Sequence, residues 1–161
     1  MGVTNATVLL PILRRQIGDI DTPYTYSDVT LSGYVLDAVK ALGRRWNNKY
    51  YIATVAGVPD QIVRTGENYS FDFSDPPVIE YGDERCIILQ ASIIIKTSKK
   101  FSESGDAVSW RDEEVAYSSI ESAKQRASSL QDDIAELDRY LPIRLARPLY
   151  GRLAGWSREY E

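Results

Sequence analysis

Two short apolar stripes separated by a proline-containing turn restrict what the first 46 residues can become. Val8, Leu9, Ile12, Leu13 and Ile17 recur at roughly helical spacing. Pro11 falls in the first turn, where a missing N–H costs least. Gly18 follows the last turn and suits a left-handed C-terminal residue. Pro23 blocks continuation, and Ser27 is a good N-cap for a second helix. That helix carries Leu31, Tyr34, Val35, Ala38, Val39 and Leu42 on one face. Arg14–Arg15 and Arg44–Arg45 fall near the two C-termini, where the helix dipole favours cations.

This arrangement resembles the N-terminus of the head-to-tail connector (adaptor or neck) proteins of tailed bacteriophages. The residues that carry the resemblance are Leu13, Arg14, Arg15, Ile17, Gly18, Asp19, Pro23, Tyr24, Tyr26, Ser27, Asp28, Leu36, Ala38 and Leu42. It is good over residues 8–46 and looser, but ordered, through residue 141. The matching positions are packing residues rather than chemistry, and an ordinary helical hairpin would need the same types. A departure is the Tyr-rich stretch 49–74, longer or more aromatic than the family pattern.

Beyond residue 48 the chain changes period. Tyr50, Tyr51, Ile52, Thr54 and Val55 favour strand, Gly57–Asp60 a turn, and Gln61–Thr65 a returning strand. Tyr69, Phe71 and Phe73 alternate with polar residues. The stretch reads as a small β-meander or extended loop projecting from the helical body, either a contact loop or a hairpin covering one end of the core. Next comes an apolar run from Asp83 to about Lys100, with five isoleucines. Isoleucine favours strand. The length, and the resemblance, favour a central helix buried on most sides. Residues 102–117 read as a polar, extended arm, with Ser104–Asp106 as a turn. Ser118–Glu121 is a capping box. Behind it Ile120, Ala123, Ala127, Leu130, Ile134, Leu137 and Leu141 form a heptad seam that Pro142 ends. Three heptads suit packing against the first two helices.

The fold expected is therefore mainly α: a bundle of about four helices with an inserted β-hairpin or extended loop and an extended C-terminal tail. The helical domain takes residues 1–141, with the β-rich insertion at 49–74 and the arm at 102–117. Residues 142–161 form the tail, whose Arg147, Tyr150, Arg152, Leu153, Trp156 and Tyr160 are candidate docking residues, because arginine and aromatics dominate binding hot spots. The alternative is a tail folded back on its own domain. Charge follows the same division. The chain is −4 overall; residues 142–161 carry four arginines against two glutamates, leaving −6 on the rest.

Composition narrows the chemistry. With 161 residues the chain can bury one real core. There is no histidine, so Ser-His-Asp and Cys-His catalysis are excluded. Cys86 is the only cysteine, in an apolar run, which reads as a buried structural thiol. Phosphate-binding glycine motifs and a calcium loop are missing. No catalytic, cofactor or metal residues are assigned, and an enzyme is not expected. A cell-wall hydrolase using two carboxylates is a remote rival. An acidic body attracts DNA poorly, and no membrane-spanning run or signal peptide is evident.

The resemblance implies a virion protein at the head–tail junction, assembled in the host cytoplasm. It would form a ring, in that family usually of twelve copies, below the portal protein. Its partners would be the portal, neighbouring copies and a downstream head-closure or tail protein, with DNA passing non-specifically through the channel. Rival readings are another neck component (a head-closure or tail-terminator protein) and a cellular helical interaction module.

Overall fold

The structure, a computed structural model, describes residues 4–56, 58–67, 77–106 and 113–144. Among them the order is α1 (Asn5–Val8), α2 (Leu10–Ile17), α3 (Asp28–Leu42), a 3-10 turn (Gly43–Trp46), β1 (Tyr50–Val55), β2 (Val58–Arg64), α4 (Asp83–Asp106) and α5 (Glu113–Arg144). The fold is mainly helical with one antiparallel hairpin, as the periodicity predicts.

The N-terminal hairpin starts and stops where its sequence directs. Thr4 caps α1 and Ser27 caps α3, each hydroxyl accepting a backbone N–H three residues on. Gly18 ends α2 at φ 75°, the left-handed region that glycine enters without penalty. The inward stripe is Leu9, Leu10 and Leu13, while Val8 and Ile12 face solvent. The expected stripe is thus rotated. The chain breaks helix at Leu9, so a single helical period does not run from Val8 to Ile17.

Helix α4 settles the ambiguity of residues 83–100 in favour of helix. Cys86, Ile87, Ile88, Leu89, Ala91 and Ile95 are buried, and α4 packs against α2, α3 and α5. A helix enclosed by three others is apolar over most of its circumference, which hides its period in the sequence. Leu31, Val35, Ala38, Val39 and Leu42 meet it from α3, and Leu137 and Leu141 reach the same core from α5. The seam of α5 is therefore real over Leu130–Leu141, with Ile134 half-buried, but its main partner is α4 rather than the first two helices. Ala127 is exposed. The side chains of Ile120 and Ala123 lie outside the description.

Polar groups fix the register of α5. Asp133 is buried and accepts from Ser92 Oγ at 2.6 Å, Lys96 Nζ at 2.6 Å and Gln16 Nε2 at 2.9 Å. Arg85 forks onto Glu136 with two contacts of 2.9 Å and donates to Gln16 Oε1. An apolar seam alone tolerates sliding by a heptad, whereas a buried carboxylate with three partners does not.

The hairpin covers the core rather than projecting from it. Ile62 and Val63 of β2 and Tyr50 and Ala53 of β1 are buried, and the strands pack on α1 and α3. Ile52 pairs with Ile62, with a register irregularity between Ala53 and Val55. Val58–Asp60, expected as turn, belong to β2. Asn5 closes the outer edge of β2 as another strand would: its amide accepts from Ile62 N and donates to Ile62 O, at 3.0 and 2.6 Å.

Three expectations are corrected. Residues 102–106 and 113–117 are helical, not an extended arm, and only 107–112 lie outside the described residues. Helix α5 begins at Glu113, before the capping box, with two glutamates in a first turn whose dipole favours them. Nor does Pro142 end α5, which runs to Arg144. A proline in the last turn forfeits one backbone bond, and Leu141 and Arg144, both packed on the body, offset it. The alternating residues Tyr69, Phe71 and Phe73 lie outside the described residues.

Leu137, 1% exposed, is the side chain through which α5 enters the core. Leu137→Ala should destabilise the fold by about 2–5 kcal/mol. Urea denaturation followed by circular dichroism checks this, and an unchanged midpoint would show that α5 is not part of the cooperative unit.

Candidate functional site

The six tail residues predicted to dock, Arg147, Tyr150, Arg152, Leu153, Trp156 and Tyr160, lie outside the described residues. What the structure defines is the root of that tail and a cleft at the other end of α3.

Arg144 forms the root. Its Nε donates to Asp83 Oδ1 at 2.7 Å, and its Nη2 donates to the Tyr81 carbonyl at 2.8 Å and approaches Glu80 at 3.3 Å. Asp83 is fully buried at the start of α4. It also takes Lys49 Nζ at 2.7 Å and the Tyr50 hydroxyl at 2.8 Å. Glu80 binds Lys49 at 3.0 Å and pairs with Arg64. One carboxylate thus collects the base of the hairpin, the loop 77–82, the start of α4 and the end of α5. Gly82, at φ 96°, is required twice over. Its backbone favours glycine, and a Cβ would stand 3.1 Å from Arg144 Cζ.

Burial alone would raise the Asp83 carboxyl, but hydrogen bonds from Lys49, Arg144 and Tyr50 outweigh it and hold the group below its ordinary value of 3.8. The same burial pushes the Tyr50 hydroxyl up. Cys86 lies beneath, buried as expected. Desolvation, with Asp83 adding to it, pushes its thiol up, the opposite of a nucleophile's tuning.

The second feature is the loop 18–28. Arg14 is buried beneath it and pairs with the buried Asp19. The same guanidinium donates to the Tyr26 carbonyl at 2.9 Å and Asp28 Oδ1 at 2.7 Å, and lies 3.8 Å from the centre of the Tyr24 ring. Asp19 accepts the backbone N–H of Thr25 at 2.7 Å and of Tyr26 at 3.4 Å. Burial raises the Asp19 carboxyl, and these backbone bonds and Arg14 reverse the direction. Tyr26 then sets its ring edge-on to Tyr34 of α3. Dipole compensation does not explain Arg14, since its charge is consumed by the loop. Arg15, on the surface, keeps that reading.

Between α2 and this loop opens a cleft of about 420 Å³, walled by Leu10, Pro11, Ile20 and Tyr24, with Arg15 and Asp28 among its polar lining. Ile20 and Tyr24 are 63% and 49% exposed. The hydrophobic period identified neither the cleft nor the two ion-pair hubs. The one available signal for the first hub was Arg14, Asp19 and Asp28 standing around a proline turn. Among the described residues no group of three carboxylates, cysteines or histidines could hold a metal.

Comparison with protein-family models, with curated proteins and with solved structures finds no match.

Two outcomes follow. Arg14→Ala strands Asp19 in the interior and should cost about 3–5 kcal/mol, measured by thermal or urea unfolding. A carboxyl depressed on folding contributes stability that is present above its unfolded value and lost as pH falls through the folded one. Stability should therefore hold down to about 3.8 and fall below it. Asp83→Asn should lower stability at neutral pH and shed less on acidification, Asp19 supplying the remainder. Urea midpoints across a pH series read both slopes.

Proposed function

We propose that this chain is a structural subunit of a tailed-phage neck: one copy of a ring that docks below the portal and joins head to tail. The observation that carries the reading is the use the fold makes of the residues behind the resemblance. Leu13 is core, Arg14 and Asp19 are the buried pair, and Gly18 is the left-handed cap. Tyr24 and Tyr26 are held on Arg14 and against Tyr34, Ser27 caps α3, and Asp28 completes the ion pair. The motif works as a single unit in this fold, which supports the reading.

Other features agree with the role. The tail beyond Arg144 carries three arginines against two glutamates, so the body is −5, and an acidic wall lets DNA slide rather than stick. A mainly helical body counts against head-closure and tail-terminator proteins, which are mainly β-barrels. No helix among the described residues is long and apolar enough to cross a membrane. In this reading the tail residues Arg147, Tyr150, Arg152, Leu153, Trp156 and Tyr160 reach beyond their own subunit. The portal, neighbouring copies and a downstream tail protein are the partners.

The body–tail boundary moves to Arg144, because that residue holds Asp83. A chain ending at Arg144 should stay folded, with an unchanged midpoint, yet fail to cosediment with portal-containing heads that retain the full chain. Normal assembly of the truncated chain would leave the tail as a cover for its own core, and failure of the full chain to cosediment with such heads would favour a cellular interaction module.

A further inference from the structure

The cleft between α2 and the loop 18–28 is built as a receptor. Tyr24 does not move freely into solvent, because it lies on Arg14, and Arg14 is locked by Asp19, Asp28 and the Tyr26 carbonyl. Such a wall binds without first being ordered, which removes much of the entropic cost of docking. A volume of about 420 Å³ falls in the range of clefts that take small molecules or anchoring side chains. The cleft's apolar walls are Leu10, Pro11, Ile20 and Tyr24; of the charged groups that line it, Asp19 and Asp28 are held by Arg14 and Arg15 is exposed.

The chain carries a matching segment. Residues 145–161 hold Leu149, Tyr150, Leu153, Trp156 and Tyr160 among Arg147, Arg152 and Arg158, with a net charge of +1. Apolar side chains of this number require cover. The tail leaves the body at Arg144, beside Lys49, which follows the C-terminal end of α3. The cleft adjoins Asp28, the N-terminal end of the same helix. At 1.5 Å per residue these ends are roughly 20 Å apart, and an extended tail of this length spans about 55 Å.

We propose that the cleft receives the C-terminal tail of the neighbouring copy, with Trp156 as the anchor side chain against Leu10, Pro11, Ile20 and Tyr24. Donor and acceptor at opposite ends of one subunit make a head-to-tail contact, the kind whose repetition closes a ring. This docking rests on the ring-subunit reading above and names the surface that reading lacks.

The test mixes two full-length variants. Ile20→Glu blocks the cleft at an exposed position and keeps the tail. Trp156→Ala disarms the tail and keeps the cleft. Sedimentation velocity at about 100 µM should show self-association of the unaltered chain, weakened at least tenfold in either variant alone. The mixture should form a species of twice 18.2 kDa and no larger, because each variant retains one half of one contact. Val78→Glu, at an exposed position that does not line the cleft, should leave self-association unchanged. A mixture that stays monomeric, or an Ile20→Glu chain that associates like the parent, overturns the proposal. So does a parent chain that is monomeric while the mixture dimerises, since the cleft then holds its own tail. The truncation at Arg144 separates the two levels. If it abolishes docking on portal-bearing heads while the mixture stays monomeric, the neck reading stands and the cleft assignment fails.

Discussion

A single buried carboxylate sets the terms for one end of this molecule. Asp83 sits at the first residue of the most enclosed helix and is fully removed from solvent. An ionised carboxylate in that position is intolerable unless donors surround it. The donors come from Lys49 and Tyr50 at the base of the hairpin and from Arg144 at the last turn of α5. None is near Asp83 in sequence, so the charge is satisfied only when hairpin, central helix and last helix have docked together. That requirement couples their folding. It also pins the point from which the tail departs.

Arg14 plays the corresponding part at the other end, with the sign reversed. A buried guanidinium organises an eleven-residue loop by satisfying two carboxylates, a carbonyl and an aromatic face at once. Between the two hubs lies an apolar core running from Leu9 through Ile95 to Leu141. Each hub is held by several polar contacts at once. One end presents a fixed exit for a basic, aromatic segment, and the other an apolar cleft with a preorganised wall.

The elements themselves were largely legible in the sequence, because their signals are local. Gly18, Ser27 and the spacing from Leu31 to Leu42 specify α2, its stop and α3 within single turns of chain. The strands of the hairpin follow from a run of aromatic and β-branched residues. Errors arose where one local signal was weighed without its neighbours. Ser104–Asp106 reads as a turn and Pro142 as a stop, yet helix includes both, since a single poor helix former near the end of a long helix does not by itself stop it.

The amino-acid sequence determined, by itself, a helical bundle with a β insertion, a buried thiol at Cys86 and an acidic body with a basic, aromatic C-terminal segment. Only the tertiary structure decided that α5 packs on α4 in the register set by Asp133, and that Arg144 belongs to the body. It alone showed that Arg14 faces inward and that a cleft opens beside it. The reason is one of range. Periodicity and capping are written in residues three or four apart, whereas the partners of Asp83, Arg14 and Asp133 are chosen by where distant segments meet, and a charge in a sequence looks the same whether it will face water or a buried counter-ion.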